Sequence, residues 1–195
     1  MISIKGTTLA NESAADRPKT DFYPTPENVT LALLDFLNLP EDTVIWEPAC
    51  GEGHMVKALR SCGYTVFPTD LHDYGFGVPH TDYLEASIPR CDWIITNPPF
   101  NLFEEFVRRS IVHGKPFALL AKSQCWHAEC RGAKLFWEFP PMAVLPLTWR
   151  PDFHFGTKGG RPTMECIWTV WGTEPAKQTI YLPLLKPKKR SEQNA

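Results

Sequence analysis

No apolar run in the 195-residue sequence is long enough to cross a bilayer. Its most compact apolar stretch, Phe117-Ala118-Leu119-Leu120-Ala121, has the length of a buried strand. The first twenty residues lack the apolar core of a targeting peptide, so residues 1–20 are expected to form a loose arm. Charge of one sign is also lacking. A net charge of −2 excludes a protein that coats nucleic acid through bulk positive charge, though not one with a local basic patch. Paired cysteines are missing too: Cys50, Cys62, Cys91, Cys125, Cys130 and Cys166 are scattered, which implies reduced thiols and a cytoplasmic compartment. The spacing Cys125-x-His127-x-x-Cys130 has no second ligand pair beside it, so no metal site is expected. No internal repeat or linker divides the chain.

What is present alternates between two periods. Thr25-Pro26-Glu27 opens a helix, with Thr25 as N-cap, Pro26 at the first position and Glu27 against the positive end of the dipole. Val29, Leu33, Leu34, Phe36 and Leu37 give it an apolar side, and Pro40 closes it. Strands are expected at 43–48, 65–69, just before Asp82, 92–97, 117–121, 142–147 and 165–171, with helices over 53–61, 102–112 and 129–139. Strands that alternate with helices make a mainly parallel sheet covered on both faces, an α/β fold. Ligands then bind beyond the carboxyl ends of the strands.

The informative residues fall at those ends. Glu47-Pro48-Ala49-Cys50-Gly51-Glu52-Gly53 lies between a strand and a helix, where glycines admit a ligand close to the backbone. A carboxylate leading that turn suits an ammonium group better than a phosphate. Asp70 ends the next strand and suits ribose hydroxyls; its plainer reading is a cap or turn residue. Asp82 either accepts from the amino group of an adenine-bearing ligand or is a surface turn acid.

Asn97-Pro98-Pro99-Phe100 ends the strand Asp92-Trp93-Ile94-Ile95-Thr96. Each prolyl ring fixes its own φ and holds the preceding residue extended, so Asn97 and Pro98 are rigid. Proline also has no N–H, which leaves the Pro98 carbonyl and the Asn97 side-chain oxygen to accept from one NH₂ group. Drawing on both hydrogens weakens conjugation of the nitrogen lone pair with an aromatic ring and makes the nitrogen a better nucleophile. Phe100 offers a face for a planar base. The alternative is a tight Pro-Pro turn leaving a buried strand.

The order of Asp21-Phe22-Tyr23-Pro24-Thr25-Pro26, the Glu47–Gly53 turn, Asp70, Asp82 and Asn97-Pro98-Pro99-Phe100 resembles the amino-group DNA methyltransferases. It is most similar to those with the cofactor motif before the catalytic tetrapeptide, and to small phage-type adenine methyltransferases. The resemblance runs from Asp21 to about Trp171. It implies a Rossmann-like, mostly parallel seven-stranded sheet with the last strand antiparallel, at about Glu165–Trp171. It also implies S-adenosylmethionine as cofactor, held by Tyr23, Thr25, Pro26, Glu47, Ala49, Gly51, Gly53, Asp70, Leu71, Asp82 and Asn97, with Thr25 and Pro26 at its methionine end. Asn97, Pro98, Pro99 and Phe100 would be the catalytic residues, with Asn97 and Phe100 holding a flipped adenine of DNA for methylation at N6. Attack through a cysteine, as carbon methylation of cytosine requires, is not expected, because the sequence has no Pro-Cys dipeptide.

Members of that family that read a defined sequence carry a sizeable recognition domain, for which this chain has little room. Two loops stand in its place, Lys122-Ser123-Gln124-Cys125-Trp126-His127 and Trp149–Arg161. Lys122, Trp126, Arg150, His154, Lys158 and Arg161 are the expected nucleic-acid contacts, mixing cations with aromatics. Equally, the second loop reads as a long hairpin whose aromatics pack on the sheet. RNA or a protein glutamine as substrate, and an inactive nucleic-acid-binding protein that keeps the fold, remain as rival readings. Residues 21–183 are expected to form the methyltransferase domain, and 184–195 a basic, flexible tail.

Overall fold

The computed structural model describes residues 23–127, 132–157 and 161–187. In chain order the elements are α1 (Glu27–Leu37), β1 (Val44–Glu47), α2 (His54–Ser61), β2 (Thr65–Pro68), β3 (Trp93–Thr96), α3 (Phe103–His113), β4 (Phe117–Lys122), β5 (Ala143–Pro146), β6 (Cys166–Trp171) and β7 (Ile180–Tyr181). They form one seven-stranded sheet in the order β2-β1-β3-β4-β6-β5-β7. β1 pairs in parallel with β2 and β3, β3 with β4, and β5 with β7. β6 is antiparallel to both of its neighbours, β4 and β5. The reversed strand is thus the expected one; the two-residue β7 follows it in the chain.

The apolar strands are buried on both sides, and their period of two deals side chains to two cores. On one face Ile45, Ile95, Ala118, Leu120, Trp168 and Val170 meet Val29, Leu33, Val56 and Leu59 of α1 and α2. On the other, Trp46, Ile94, Phe117, Leu119 and Trp171 meet Phe103, Phe106 and Val107 of α3. The Trp168 indole N–H donates to the Val29 carbonyl at 3.0 Å and ties the start of α1 to β6.

Three local expectations are corrected. No strand precedes Asp82: Thr69 and Val78 make a single parallel bridge. Positive φ at Gly75, Gly77 and His80 coils the segment, and Pro79 lacks a donor. The seventh strand comes instead from Ile180–Tyr181. At α1 the capping position is held by Pro26, with no side-chain cap, because the Thr25 hydroxyl accepts from Asn97. Of the helix expected over 129–139, the described part holds one π-type turn, Gly132–Phe136, and Pro140 and Pro141, which lack an N–H, allow no helix beyond Phe139.

The whole of the expected arm (1–20) and residues 188–195 of the expected tail lie outside the described residues, as does Cys130. Leu184, assigned to the tail by sequence, is buried. It donates to the Pro146 carbonyl at 2.8 Å and accepts from the Thr148 N–H at 3.1 Å. The packed body therefore includes it.

Candidate active site

β1, β2 and β3 end side by side, and beyond their carboxyl ends lies a cleft of about 910 Å³, its open mouth included. Tyr23, Thr25, Glu47, Ala49, Asp70, Leu71, Asp82 and Asn97 all face it, as does Pro99. Pro26, Gly51 and Gly53 do not; they are buried behind it and shape it. Gly53 has φ +77°, and a Cβ on it would lie 2.3 Å from the Phe76 ring. Only glycine fits there.

Glu47 is 2% exposed, and its Oε2 is buried with no hydrogen-bond partner among the described residues. Burial pushes its pKa well above the usual carboxylate value. The neighbouring Asp70 charge adds to this, and a hydrogen bond from the Val56 backbone opposes it. An unpaired buried carboxylate is costly. The donor set suited to this place is a cation such as an ammonium group, which satisfies the orphaned oxygen and relieves the repulsion from Asp70.

Asp70 uses both oxygens on backbone: Oδ2 accepts from the Gly51 N–H and Oδ1 from the His72 N–H, each at 2.8 Å. It is thus a turn residue that holds the glycine loop against β2. Each oxygen keeps a further lone pair for a hydroxyl in the cleft. Asp82 likewise shapes its own turn, with Oδ1 accepting from the Leu84 N–H at 2.9 Å. The Cys50 thiol, in the same wall, is pushed up to about 12 by burial and then by the Glu47 and Asp70 charges, so it stays protonated and is no nucleophile.

At the end of β3 the Asn97 amide is oriented by a segment remote in sequence. Its Nδ2 donates to the Tyr23 carbonyl and to the Thr25 hydroxyl, both at 3.0 Å. Its Oδ1 is buried with no partner among the described residues. The corner therefore presents an acceptor and no donor. Pro98 is buried behind it. Phe100 faces an adjoining hollow with Phe103, Ala121, Lys122, Gln124 and Cys125, and its ring lies 5.4 Å from that of Tyr23.

The expected nucleic-acid contacts are dispersed around this corner. The Lys122 ammonium lies 4.8 Å from the Phe100 ring and 5.3 Å from that of Tyr23, an attractive placement for a cation. Trp126 is stacked on Phe136 at 4.0 Å. Arg150 pairs with Glu165 at 2.7 Å on the surface, and Arg161 shares its open groove. His154 sits in a turn held by Asp152, whose oxygens accept from the His154 and Gly156 N–H groups. Lys158 lies outside the described residues.

In the same loop Phe153 is buried against Tyr23 at 5.7 Å. Phe155, 54% exposed, is stacked on His54 at 5.0 Å. Packing thus claims Phe153 and part of Trp149, and Phe155 reaches the cleft rim. Sequence reasoning missed His54, whose pKa is lowered by burial and then by Lys57, against a weaker opposing pull from Glu52. It also missed Phe76; the alternation Tyr74-Gly75-Phe76-Gly77 was the available signal.

No protein-family profile matches the chain, and no curated protein matches it in sequence. Solved structures do. A type I restriction-modification methyltransferase subunit from Streptococcus thermophilus superposes with a TM-score of 0.63 at 13% identity, over 83% of this chain and 47% of its own. This chain thus spans about half the length of that protein. A candidate RNA methyltransferase from Pyrococcus horikoshii gives 0.63 at 16% identity, over 80% and 89%. A dimethyladenosine transferase from Plasmodium falciparum gives 0.55 at 12%, over 76% and 62%. At such identities the likeness speaks for architecture, and together with the sheet order it establishes that this chain has the Rossmann-like fold of S-adenosylmethionine-dependent methyltransferases.

Proposed function

We propose that residues 21–183 form an enzyme that transfers a methyl group from S-adenosylmethionine to the exocyclic N6 of adenine in DNA, in the cytoplasm. The observation that carries this reading is the Asn97 corner: a buried side-chain oxygen with no partner among the described residues, at the end of β3 and facing the cleft that Glu47 and Asp70 also line. Glu47 would hold the cofactor's ammonium, Asp70 its ribose hydroxyls and Asp82 its adenine amino group. When bound, the cofactor supplies an electrophilic methyl group.

The chain's own residues do the rest by position. Asn97 Oδ1 and the Pro98 carbonyl accept the two hydrogens of the substrate NH₂ and aim its lone pair into the cleft. Phe100 stacks the base, and the apolar wall limits competing water. The nitrogen would take the methyl carbon as the bond from that carbon to the cofactor's sulfonium sulfur breaks, leaving a neutral thioether, and would lose one proton to solvent. No residue becomes covalently attached. For a duplex substrate the base must first leave the stack, at a cost of a few kcal/mol.

DNA is favoured by the segment Asp21–Pro26 and its place before the glycine turn, the arrangement of the family this chain resembles. The test is transfer of a labelled methyl group to DNA, RNA and protein in parallel, with digestion of the product. N6-methyladenine from DNA is expected. Label on RNA or protein alone would overturn the substrate, and label on cytosine N4 would overturn the base.

A further inference from the structure

We propose that Thr25 and the Tyr23 carbonyl are positioning groups that lock the Asn97 amide with its oxygen toward the substrate nitrogen. Entry of the chain into α1, and not β3 alone, then sets the polarity of the reacting corner. The inference deepens the reading above and rests on it for its kinetic part.

An amide side chain has two orientations that differ by half a turn, with the same shape and opposite hydrogen-bonding sense. At Asn97 one choice is excluded by chemistry. The Tyr23 backbone carbonyl, 3.0 Å from Nδ2, can only accept. Turning the amide over would set two oxygens against each other at that distance and aim N–H donors at the substrate's NH₂, itself a donor. The Thr25 hydroxyl, also 3.0 Å from Nδ2, takes the second hydrogen. A hydroxyl can donate as well as accept, so the carbonyl decides the sense and the hydroxyl removes the remaining freedom. Both amide hydrogens are then spent on the segment before α1, and Oδ1 is left buried with no partner among the described residues. The site holds a single acceptor at a fixed angle before any substrate arrives, which is the preorganisation that transfer of this kind requires.

The geometry also explains the missing helix cap. Thr25, 4% exposed, precedes Pro26, the capping residue of α1, and makes no cap bond in the helix. The hydroxyl that local sequence assigns to α1 is committed to Asn97, 72 residues away.

The test uses Thr25→Val, which keeps shape and loses the hydroxyl, with Thr25→Ser as rescue. The Asn97 side-chain amide signals are identified by their loss in Asn97→Ala. In wild type and Thr25→Ser, ¹⁵N relaxation should report a rigid amide, and in Thr25→Val a mobile one; thermal unfolding confirms that each variant folds. With cofactor saturating, kcat should fall about tenfold in Thr25→Val, since one of two anchors remains and full loss of a preorganised group costs about 10²–10³. The KM for DNA should stay within about twofold, and Thr25→Ser should recover kcat.

An Asn97 amide equally mobile in wild type and Thr25→Val overturns the proposal. So does an unchanged kcat, or a rate restored fully by more cofactor, which would make Thr25 a cofactor contact alone. The relaxation measurement needs no substrate. A wild-type protein with a rigid amide and no methyl transfer would overturn the reaction, and with it the kinetic role, while leaving the locked geometry standing.

Discussion

Replacing Glu47 by Gln should have two effects of opposite sign. The carboxylate is 2% exposed, one oxygen has no partner among the described residues, and burial followed by the Asp70 charge raises its pKa. A carboxyl whose folded pKa lies above its unfolded value, about 4.3, costs stability progressively as pH rises above that value. The cost is complete once the folded group has ionised. Gln keeps the volume and an acceptor for the Val56 N–H but carries no charge. It should therefore recover the excess that an unpaired buried charge costs over the roughly 1–3 kcal/mol of a neutral unsatisfied group, because its NH₂ remains as such a neutral group. About 1–2 kcal/mol corresponds to a rise in Tm of roughly 2–8 °C for a domain of this size.

The gain should appear at pH 8 and vanish at pH 4, where wild-type Glu47 is protonated in the folded state and largely so in the unfolded one. Binding of S-adenosylmethionine should move the other way. A buried ammonium left without its partner loses about 3 kcal/mol or more, on the order of a hundredfold in Kd. Thermal unfolding at the two pH values and calorimetric titration read both effects from one variant. A Glu47→Gln protein that binds cofactor like wild type, or that is no more stable at pH 8, would refute the reasoning.

Three further outcomes are expected. Asn97→Ala should lower methyl transfer about a hundredfold or more while changing cofactor affinity only a few-fold, because it removes the aimed acceptor and leaves the cleft; near-normal turnover would reduce Asn97 to a turn residue. Gly53→Ala combines a left-handed backbone, about 1–2 kcal/mol, with a Cβ 2.3 Å from the Phe76 ring, about 1–3 kcal/mol of overpacking. Urea unfolding should show a loss of about 2–4 kcal/mol, and Phe76→Ala in that background should recover only the steric part. Replacing Arg150, Lys158 and Arg161 together by Ser should flatten the dependence of log affinity for DNA on log salt, by about 0.7–0.9 for each phosphate that is no longer neutralised. Arg150 is already paired with Glu165, so its share should be the smallest; an unchanged slope in a salt titration on one oligonucleotide would move the DNA surface elsewhere.

The sequence by itself determined what is local. β1 to β6 begin and end within one residue of the expected bounds, since each is a short apolar run closed by Pro, Gly or a polar corner, and such signals lie within a few positions of one another. The placing of Glu47, Asp70 and Asn97 at adjacent carboxyl ends followed from the same pattern, because parallel strands bring their ends together. Tertiary structure decided whatever depends on partners distant in the chain. Ile180 and Tyr181 are both exposed and carry no alternation; only the Ala143–Pro146 edge makes them a strand. Trp126 has one face stacked on Phe136, a contact that no pattern in the sequence announces. Thr25 has the local chemistry of a helix cap and the tertiary role of an amide anchor, because a hydroxyl accepts from whichever donor the fold brings within 3.0 Å. Propensity ranks the options of one segment. The choice among them is made by hydrogen-bond donors and acceptors that become neighbours only when the sheet is assembled, and burial then makes each unmatched one costly.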